Sequence, residues 1–596
     1  MVSTCSSTGM VLMRKRWMAA LAALGLLIPL SGNATAAPPD RIDQVESGRP
    51  AGTPPADNRI EVFADGTTVS EPITSAPRDT RAATTPVTID FTWLDGSVAG
   101  VANVWWLNLD TGNQQYEPAY DGTAVINLEP GDYGLMLDMR RYPTAQEPMS
   151  SVTTVVDLTV TDEPAALTVD GTKAKPVVAA VDRAGAVTQW RQVQFYANGY
   201  NGFRGGTIEY VFSGAEHVYA IPSPKLFLGH NAGMAQRVEL TNPPGAADPY
   251  SYNLFDLADR GIPADPALRV HDTNLAVRHA TYRGLGGTPV QVTRKSVAFH
   301  ADRLPYGFPP GSPVTVPGSR TEYYTADPSL TWSHVAAFGG GGGPLDHAMH
   351  SGGVLRIGER NEVWFSAPLS VRVPDTQFPY HNPGVQRWAI PQGGVGSAEL
   401  HAQMPLFSSG SPDEVIGSYG LPGTSTISKD GVVLATAPNG SMVNAALPDD
   451  DAGRFTVTMD ATRHVPWTPF GTRSTAKWEF DSASVPVQTP VGVSAVRLDS
   501  PDVVDGYAKR DRPQRVTLEF ETQNGVPDRR CAGMTFEVSY DDGASWSTVD
   551  IARHGDHATA KLRHPAGAEF VSVRFTAVDD LGQTVATSTI RSYGLR

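Results

Sequence analysis

Three short segments contain the residue types that a nucleophilic triad requires: an acid, a base and a hydroxyl nucleophile. They are Asp110-Thr111-Gly112, Gly423-Thr424-Ser425-Thr426 and His554-Gly555-Asp556. In such a triad the base takes the proton of the nucleophile and the acid orients the base, so all three side chains must converge. Here each segment lies at a predicted turn of a different β-rich region. We therefore predict no catalytic residues.

Two acidic segments have residue types that ligate metals. Asp346-His347-Ala348-Met349-His350 carries two histidines three positions apart, but it follows the glycine run 339–343 and lacks the H-E-x-x-H spacing of a zinc helix. Asp449-Asp450-Asp451 could hold Ca²⁺ with backbone carbonyls, although the oxygen spacing of an EF-hand loop is absent. We interpret both as solvated loops and predict no metal and no other cofactor, with Ca²⁺ as the alternative.

A tryptophan pair is the candidate for ligand binding. Adjacent side chains of a strand point to opposite faces, so only one of Trp105 and Trp106 enters a given core. Parity with Leu107 and Leu109 predicts Trp105 inside and Trp106 outside. An exposed tryptophan can stack on a sugar ring or cover a neighbouring domain. Trp106 is therefore the predicted ligand-binding residue, with packing between domains as the alternative.

The segment 539–546 fits the S-x-D-x-G-x-S/T-W pattern of an Asp-box, a hairpin element of sialidases and many other β proteins. Ser539, Asp541, Gly543 and Trp546 hold its defining positions. We interpret it as structural, because Asp541 can cap the turn and Trp546 can pack beneath it. A propeller would repeat the box in each blade, and a single copy does not predict one.

Composition sets the fold class. A chain of 596 residues, at ~100–200 residues per domain, predicts several domains. The 58 glycines and 48 prolines interrupt the chain often, which favours short strands over long helices. The net charge of −15 argues against a broad nucleic-acid binder. We predict an all-β protein of tandem β-sandwich domains that binds no nucleic acid.

The amino-terminal segment is typical of a secretory signal. The basic residues 14–16 precede the apolar run 17–30, and Ala34 and Ala36 form a small-residue cleavage site. We predict a signal peptide over 1–36 with cleavage after Ala36, and a secreted protein. No later run reaches the ~20 apolar residues of a membrane span, so none is predicted. Cleavage would leave Cys531 as the one cysteine, unable to form an intramolecular disulfide.

Alternation and turn signals divide the remaining chain. Residues 37–83 are rich in proline, glycine and aspartate and predict a flexible linker. Residues 84–165 predict a small β-sandwich, 166–305 a β-rich domain, and 306–486 a second β-sandwich, the last two forming a central region of sandwich or jelly-roll type. Residues 487–596 predict an immunoglobulin- or fibronectin-III-like sandwich, because runs such as Val516, Leu518 and Phe520 place apolar side chains on one face.

Two parts of the chain resemble known families. Segments 96–104 and 121–135, with Pro130, Gly131 and Tyr133 at the step into the core, resemble the prealbumin-like or carboxypeptidase-regulatory-like fold. The region from about residue 250 onwards resembles the non-catalytic carboxy-terminal region of large secreted bacterial subtilisin-like serine peptidases. The matching segments are 261–270, 322–332, 362–368, 428–434, 475–483, 538–546 and 589–595.

The resemblance to the subtilases implies an accessory role without peptidase activity. Subtilases order their triad Asp, His, Ser, whereas the look-alikes here run Asp, Ser, His. We therefore expect a secreted binding or scaffolding module, whose partner is a cell-wall or other polymeric glycan or a secreted peptidase. The alternatives are a secreted hydrolase of unrecognised type, with acids and histidines of 166–486 forming a cleft, and a remnant or partner of a separately encoded serine peptidase.

Overall fold

The computed structural model describes residues 61–62, 68–69, 84–142, 144, 148–200, 207–212, 217–223, 231–300, 310–339, 345–374, 384–388, 398–448 and 451–596. These residues form strands, turns and two short 3₁₀ turns, Gly171–Lys173 and Asp272–Asn274, and no α-helix. The predicted all-β fold class is confirmed. The predicted signal peptide and most of the predicted linker lie outside the described residues.

The amino-terminal strands contribute mainly to one folded sheet. They are β1 (Glu61–Val62), β2 (Thr68–Val69), β3 (Thr85–Thr92), β4 (Val101–Asn108), β5 (Gln114–Tyr120), β6 (Thr123–Leu128), β7 (Gly131–Arg141), β8 (Ser150–Val160), β9 (Ala165–Asp170), β10 (Lys175–Pro176), β11 (Ala179–Ala180), β12 (Val187–Asn198), β13 (Thr207–Phe212) and β14 (His217–Ala220). Nine of them pair in the order β10-β14-β8-β7-β4-β5-β6-β3-β9. Val87 of β3 and Val152 of β8 share one buried cluster although four strands separate them, so the sheet folds over its own core.

The central strands form a two-layer sandwich. They are β15 (Asn231–Thr241), β16 (Tyr250–Ala258), β17 (Arg260–Gly261), β18 (Leu268–Arg269), β19 (Leu275–Tyr282), β20 (Val290–His300), β21 (Ser312–Val316), β22 (Gly318–Thr325), β23 (Leu330–Gly339), β24 (Leu345–Gly353), β25 (Gly358–Trp364), β26 (Leu369–Ser370), β27 (Gly384–Trp388), β28 (Ala398–Gln403), β29 (Ser408–Ser409) and β30 (Glu414–Tyr419). An eight-stranded sheet runs β13-β12-β15-β16-β22-β19-β25, with β17 on β15, and a five-stranded sheet runs β21-β20-β23-β24-β30. Phe255 and Tyr324 of the eight-stranded sheet share a core with Ala298 and Trp332 of the five-stranded sheet, so these two sheets face each other.

The carboxy-terminal strands are divided between one large sheet and two four-stranded sheets. They are β31 (Gly423–Lys429), β32 (Val432–Ala437), β33 (Met442–Leu447), β34 (Gly453–Thr462), β35 (Arg473–Ser482), β36 (Thr489–Pro490), β37 (Ser494–Asp499), β38 (Tyr507–Ala508), β39 (Gln514–Thr522), β40 (Cys531–Ser539), β41 (Ser547–Thr548), β42 (Ala552–His554), β43 (His557–Leu562), β44 (Phe570–Asp579) and β45 (Thr584–Leu595). The nine-stranded sheet runs β32-β31-β34-β35-β45-β44-β40-β41, with β38 on β45. Two four-stranded sheets, β33-β28-β27-β36 and β37-β39-β43-β42, contribute to the same continuous core, for example through Leu400 and Leu518.

The hydrogen-bonded sheets cross the predicted domain boundaries. β9, β10 and β14 follow residue 165 and still belong to the first sheet. The boundary at 305/306 separates β20 from its partners β21 and β23, and the boundary at 486/487 separates β35 from its partner β45. Turn-rich segments suggested these boundaries in the sequence, but strands on the two sides of each segment pair within one sheet.

The structure buries Trp105 with Leu107 and Leu109 as predicted, but it does not place Trp106 outside the core of the first sheet. Trp105 is 7% exposed and lies with Leu107 in a cluster that Val193 and Phe195 of β12 complete. Trp106, half-buried, packs on the first sheet's own core beside Val104. The prediction that Trp106 leaves this core was wrong. Both faces of β4 are covered, so alternation alone could not identify which face was the core of the sandwich.

Replacing the two tryptophans separately will distinguish the two cores. We expect Trp105→Ala to lower the free energy of unfolding by about 3–5 kcal/mol, because it empties the contact between the first sheet and β12. The half-buried Trp106 should cost less when replaced by alanine. Denaturant unfolding of both variants measures the difference, and a larger loss for Trp106→Ala would contradict this assignment of faces.

Candidate functional site

The triad look-alikes lie in three separate sheets. Asp110 is in the turn after β4, Ser425 is on β31, and His554 is on β42. The buried Ser425 hydroxyl donates a hydrogen bond to the backbone carbonyl of Asn439 at 2.6 Å. The structure thus commits this hydroxyl to fixing the β31 hairpin and places the imidazole of His554 on the protein surface.

The metal-like segments are only partly described. The interpretation of 346–350 as a solvated loop was wrong, because its backbone lies in β24 and His350 is buried; the side chains of Asp346 and His347 are outside the described residues, as are Asp449 and Asp450. Asp451 forms an ion pair with Lys429. Within the described parts of the chain, no group of three or more His, Cys, Asp or Glu side chains is placed to hold a metal ion.

The Asp-box residues form a closed turn between β40 and β41. The Ser539 hydroxyl donates to Asp541 at 2.7 Å and accepts from the backbone N–H of Gly543 at 2.8 Å. The carboxylate of Asp541 accepts the backbone N–H and the hydroxyl of Ser545, and these bonds lower its pKa to about 2. Gly543 has φ +87°, a left-handed conformation that favours glycine. The guanidinium of Arg574 covers the Trp546 ring at 4.5 Å, as expected of a packed hairpin.

The titratable side chains that do converge lie inside the central sandwich. Glu322 of β22 has no exposed surface, and its carboxylate sits between the guanidinium groups of Arg294 and Arg320. The distances are 3.0 Å to Arg294 and 2.8 Å to Arg320. The hydroxyls of Tyr282 and Tyr324 also donate to it. We call these five residues the Glu322 network.

Burial and charge act in opposite directions on Glu322. Burial alone would raise the pKa of its carboxyl, since the charged form is desolvated. Arg294 and Arg320 outweigh burial, and with the two tyrosine hydroxyls they hold the pKa of Glu322 well below its usual range. The glutamate is therefore an anion in the folded protein at neutral pH, and it shares its single negative charge between two guanidinium groups.

A second buried carboxyl extends the network within the eight-stranded sheet, from β22 to β15. The Arg320 guanidinium donates to the Ser312 hydroxyl at 2.8 Å, and this hydroxyl donates to Glu239. The Trp190 indole N–H donates to the other oxygen of Glu239 at 2.5 Å. Burial raises the pKa of Glu239, because its contacts are mostly neutral donors. The pKa of Glu239 is thus raised, whereas the pKa of Glu322 is lowered.

An aromatic layer continues the network towards β30. The guanidinium of Arg294 lies 4.4 Å from the centre of the Trp364 ring, and His350 stacks on the same ring at 4.0 Å. The two ring nitrogens of His350 lie 3.8 Å from Glu362 and 3.6 Å from Glu414. Glu414 in turn accepts the backbone N–H of Phe365 at 2.6 Å. Side chains from both sheets therefore meet in one continuous polar layer.

His334 completes this layer as a neutral group. Its Nδ1 lies 3.1 Å from the Ser296 hydroxyl, and its ring lies 4.8 Å from that of Tyr324. Burial lowers the pKa of His334 well below its usual value, and the nearby charge of Arg294 lowers it further. The imidazole is enclosed, with 1% of the residue exposed. It therefore functions as a polar packing group that must stay uncharged.

Sequence reasoning missed the network because its residues occupy positions where alternation predicts apolar side chains. Arg320, Glu322 and Tyr324 are the inward residues of β22, two apart, and Glu322 and Trp364 fall within two segments that carried the family resemblance. The available signal was a strand whose one face is entirely charged or aromatic. Such a face can be exposed or buried, and pairing across sheets decides between the two.

Comparison with known proteins finds distant structural matches only. No family model matches the chain, and no curated protein matches it. A candidate adhesin from Bacteroides ovatus has 8% identity over 33% of this chain and 98% of its own, at a TM-score of 0.14. The Bacillus anthracis TIE protein has 8% identity over 65% and 67%, at 0.11. Native alpha-2-macroglobulin of E. coli has 10% identity over 89% and 39%, at 0.13. Likeness at these scores supports no argument about fold or function.

The described part of the chain contains no helix of the length and apolar character needed to cross a membrane.

Neutralising Glu322 should destabilise the protein strongly. Glu322→Gln leaves two buried guanidinium groups without a counter-charge, and we expect a loss of about 3–5 kcal/mol in the free energy of unfolding. The control is Glu359→Gln on β25, which removes an exposed carboxylate paired with His279. Exposed pairs contribute about 0–1 kcal/mol, so the control should unfold almost like the wild type. Equal stability of the two variants would refute the role of the network.

The loss of stability at acid pH should depend on the carboxyl of Glu322. A carboxyl with a lowered pKa stabilises the fold at pH values above its unfolded pKa, and this contribution is lost as pH falls below about 4.5. In Glu322→Gln the dependence of unfolding free energy on pH below 4.5 should be shallower than in the wild type. If the unfolding free energies of the two proteins changed equally with pH, folding would not lower the pKa of Glu322.

His334 should make the protein sensitive to mild acid. The His334 imidazole stays neutral in the folded protein. Below pH 6.5 it binds a proton in the unfolded chain, and this difference favours unfolding. Between pH 7.5 and 5.5 this costs the wild type about 1.4 kcal/mol. His334→Gln should lose about that much less stability over the same interval, whatever its absolute stability, as measured by urea unfolding at each pH. Parallel pH profiles for the two proteins would contradict a neutral His334.

Proposed function

We propose that this chain is a secreted, non-catalytic binding or scaffolding protein, related to the accessory regions of secreted subtilases. Its partner would be a cell-wall or other polymeric glycan, or a separately encoded secreted peptidase. The observation that carries this proposal is the burial of the converging acids, bases and cations, which pair with one another inside a sandwich. Charges used in this way stiffen a scaffold and leave recognition to its outer surfaces.

The Glu322 network also bears on the hydrolase alternative. That alternative needs acids and histidines of the central region to meet in a cleft, and Glu322, Glu239, His334 and His350 do meet there. Each of them is at most 5% exposed. A substrate would have to separate the two sheets to reach them, which favours the scaffold over the hydrolase.

The shared carboxy-terminal sheet favours a rigid display role. β35 pairs with β45 from Arg473↔Ile590 to Glu479↔Thr584, so the strands before and after residue 486 move as one sheet. Arg372, between the central sandwich and β27, pairs with Glu521 of β39 at 3.0 Å. A body joined at these points would hold separate surfaces at fixed distances, as a scaffold requires.

Co-sedimentation with insoluble material tests the proposal directly. We expect the purified protein to bind insoluble cell wall or an insoluble polysaccharide saturably, with an affinity that moderate salt lowers but does not abolish. Absence of binding to any of these materials, together with no capture of a secreted peptidase, would overturn the binding function.

Trp106 is the first aromatic residue to vary in this assay. If its ring contacts sugar, Trp106→Phe should weaken binding by up to about tenfold while the melting temperature stays near that of the wild type. The phenylalanine keeps an apolar ring against the core of the first sheet. Binding that is unchanged in this variant would remove Trp106 from the ligand surface.

A further inference from the structure

A cleft with a volume of about 720 Å³ opens on the carboxy-terminal part of the molecule. Loop residues after β38 form one wall and residues after β43 form the other. Five of its lining side chains are basic and one, Asp511, is acidic. The basic residues are Lys509, Arg510, Arg512, Arg563 and Arg596.

Main-chain pairing fixes the position of the first wall. β38 runs parallel to the end of β45, and the backbone N–H of Arg510 donates to the carbonyl of Arg596 at 3.0 Å. The backbone N–H of Arg596 donates to the carbonyl of Ala508 at the same distance. The Arg596 guanidinium lies 5.5 Å from the centre of the Tyr507 ring. These hydrogen bonds hold Arg510 and Arg596 next to each other at the edge of the cleft.

His564 ties the second wall to the interior. One of its ring nitrogens lies 3.2 Å from the Tyr540 hydroxyl and the other 2.9 Å from the side-chain oxygen of Gln514. Gln514 is buried and also accepts the Tyr593 hydroxyl at 2.8 Å. Arg563, the neighbour of His564, is exposed and is thus carried on a fixed base beside the first wall.

Among the residues with a described structure, no carboxylate forms an ion pair with the five cleft cations. Nearby surface arginines form ion pairs, such as Arg515 with Asp502 and Arg591 with Asp542. The Nε of Arg510 is buried and has no hydrogen-bond partner in the described part of the chain. On a chain of net charge −15, such a group of like charges is a local reversal of sign.

We propose that this cleft binds an anionic carbohydrate polymer through the phosphate or carboxylate groups of that polymer. Guanidinium groups match both anions because their planar donors can bind two oxygens at once. An open cleft with several fixed cations suits a chain of repeated anions better than one small ion. The inference rests on the binding function proposed above and gives that function a ligand class.

The charge of the cleft should be constant across neutral pH. His564 is the histidine of this surface, and burial lowers its pKa to about 4. Asp511 is the acidic group beside the cations, and the remaining basic side chains are arginines and one lysine. Binding of the polymer should therefore depend on salt and change little between pH 5.5 and 8.

The test measures binding of the full chain to soluble phosphorylated dextran, polygalacturonate, neutral dextran and single-stranded DNA. We expect binding to at least one anionic polymer and none to neutral dextran. With about three anions engaged, counterion release predicts an affinity loss of about twenty-fold between 50 and 200 mM salt. Which anionic polymer binds more tightly distinguishes phosphate from carboxylate as the recognised group.

Charge reversal at the cleft supplies the decisive comparison. Arg512→Glu combined with Arg563→Glu should weaken binding at least tenfold, while both side chains are exposed and the fold should persist. The matched control reverses Arg530 and Lys561, which are exposed, lie in the same part of the chain and do not line the cleft. It changes net charge equally and should bind within twofold of the wild type.

Each other outcome overturns the cleft as the site. Equal losses in the two double variants would mean that net charge alone drives binding. No binding to either anionic polymer, while the protein still sediments with insoluble glycan, would refute the cleft and leave the proposed function standing. Failure of both assays, together with no capture of a secreted peptidase, would refute both. Tighter binding of single-stranded DNA than of either polymer would show that the occupant is a nucleic acid instead.

Discussion

The central sandwich depends on one buried carboxylate. Glu322 has to remain ionised where no water reaches it, and it does so because Arg294 and Arg320 approach its oxygens from two strands and two tyrosine hydroxyls complete its hydrogen bonds. A buried charge of this kind costs several kcal/mol to desolvate, and a shift of one residue in any of these strands would leave it unpaired. The interaction therefore adds little net stability but selects a single register for β20, β22 and their neighbours.

Continuity of the sheets transmits that register along the chain. The central sandwich shares its core with the carboxy-terminal sheets, since Trp364 and Phe338 belong to the same buried cluster as Trp478 and Phe575. Arg372 adds a polar link, because its guanidinium binds both the Glu521 carboxylate and the carbonyl of Glu414. Elements that looked like a series of separate domains are in this way tied by shared strands, shared core and shared ion pairs.

The sequence was sufficient for the strands and insufficient for their partners. Alternation in β39 correctly placed Val516 and Leu518 on a buried face, because a two-residue period is a local property. Which strands pair is not local, and β45 joins β35 more than 100 residues earlier. The same limit explains Trp105, which alternation put in the core of its own sandwich although a second sheet covers it. It also explains Glu322, whose burial depends on arginines from two strands.

Arginine has two opposed roles in this molecule, and the contrast bears on function. In the interior, the two guanidinium groups of the Glu322 network pair with the same carboxylate, so much of the field of these charges is cancelled over a few ångströms. At the carboxy-terminal cleft, Arg512 and Arg563 project into solvent without an internal counter-charge, so their field extends about a Debye length from the surface. Because the interior charges are satisfied, a charged partner gains nothing by opening the sandwich. Recognition by charge is therefore left to surfaces such as the cleft, where the fold holds cations in place but does not neutralise them.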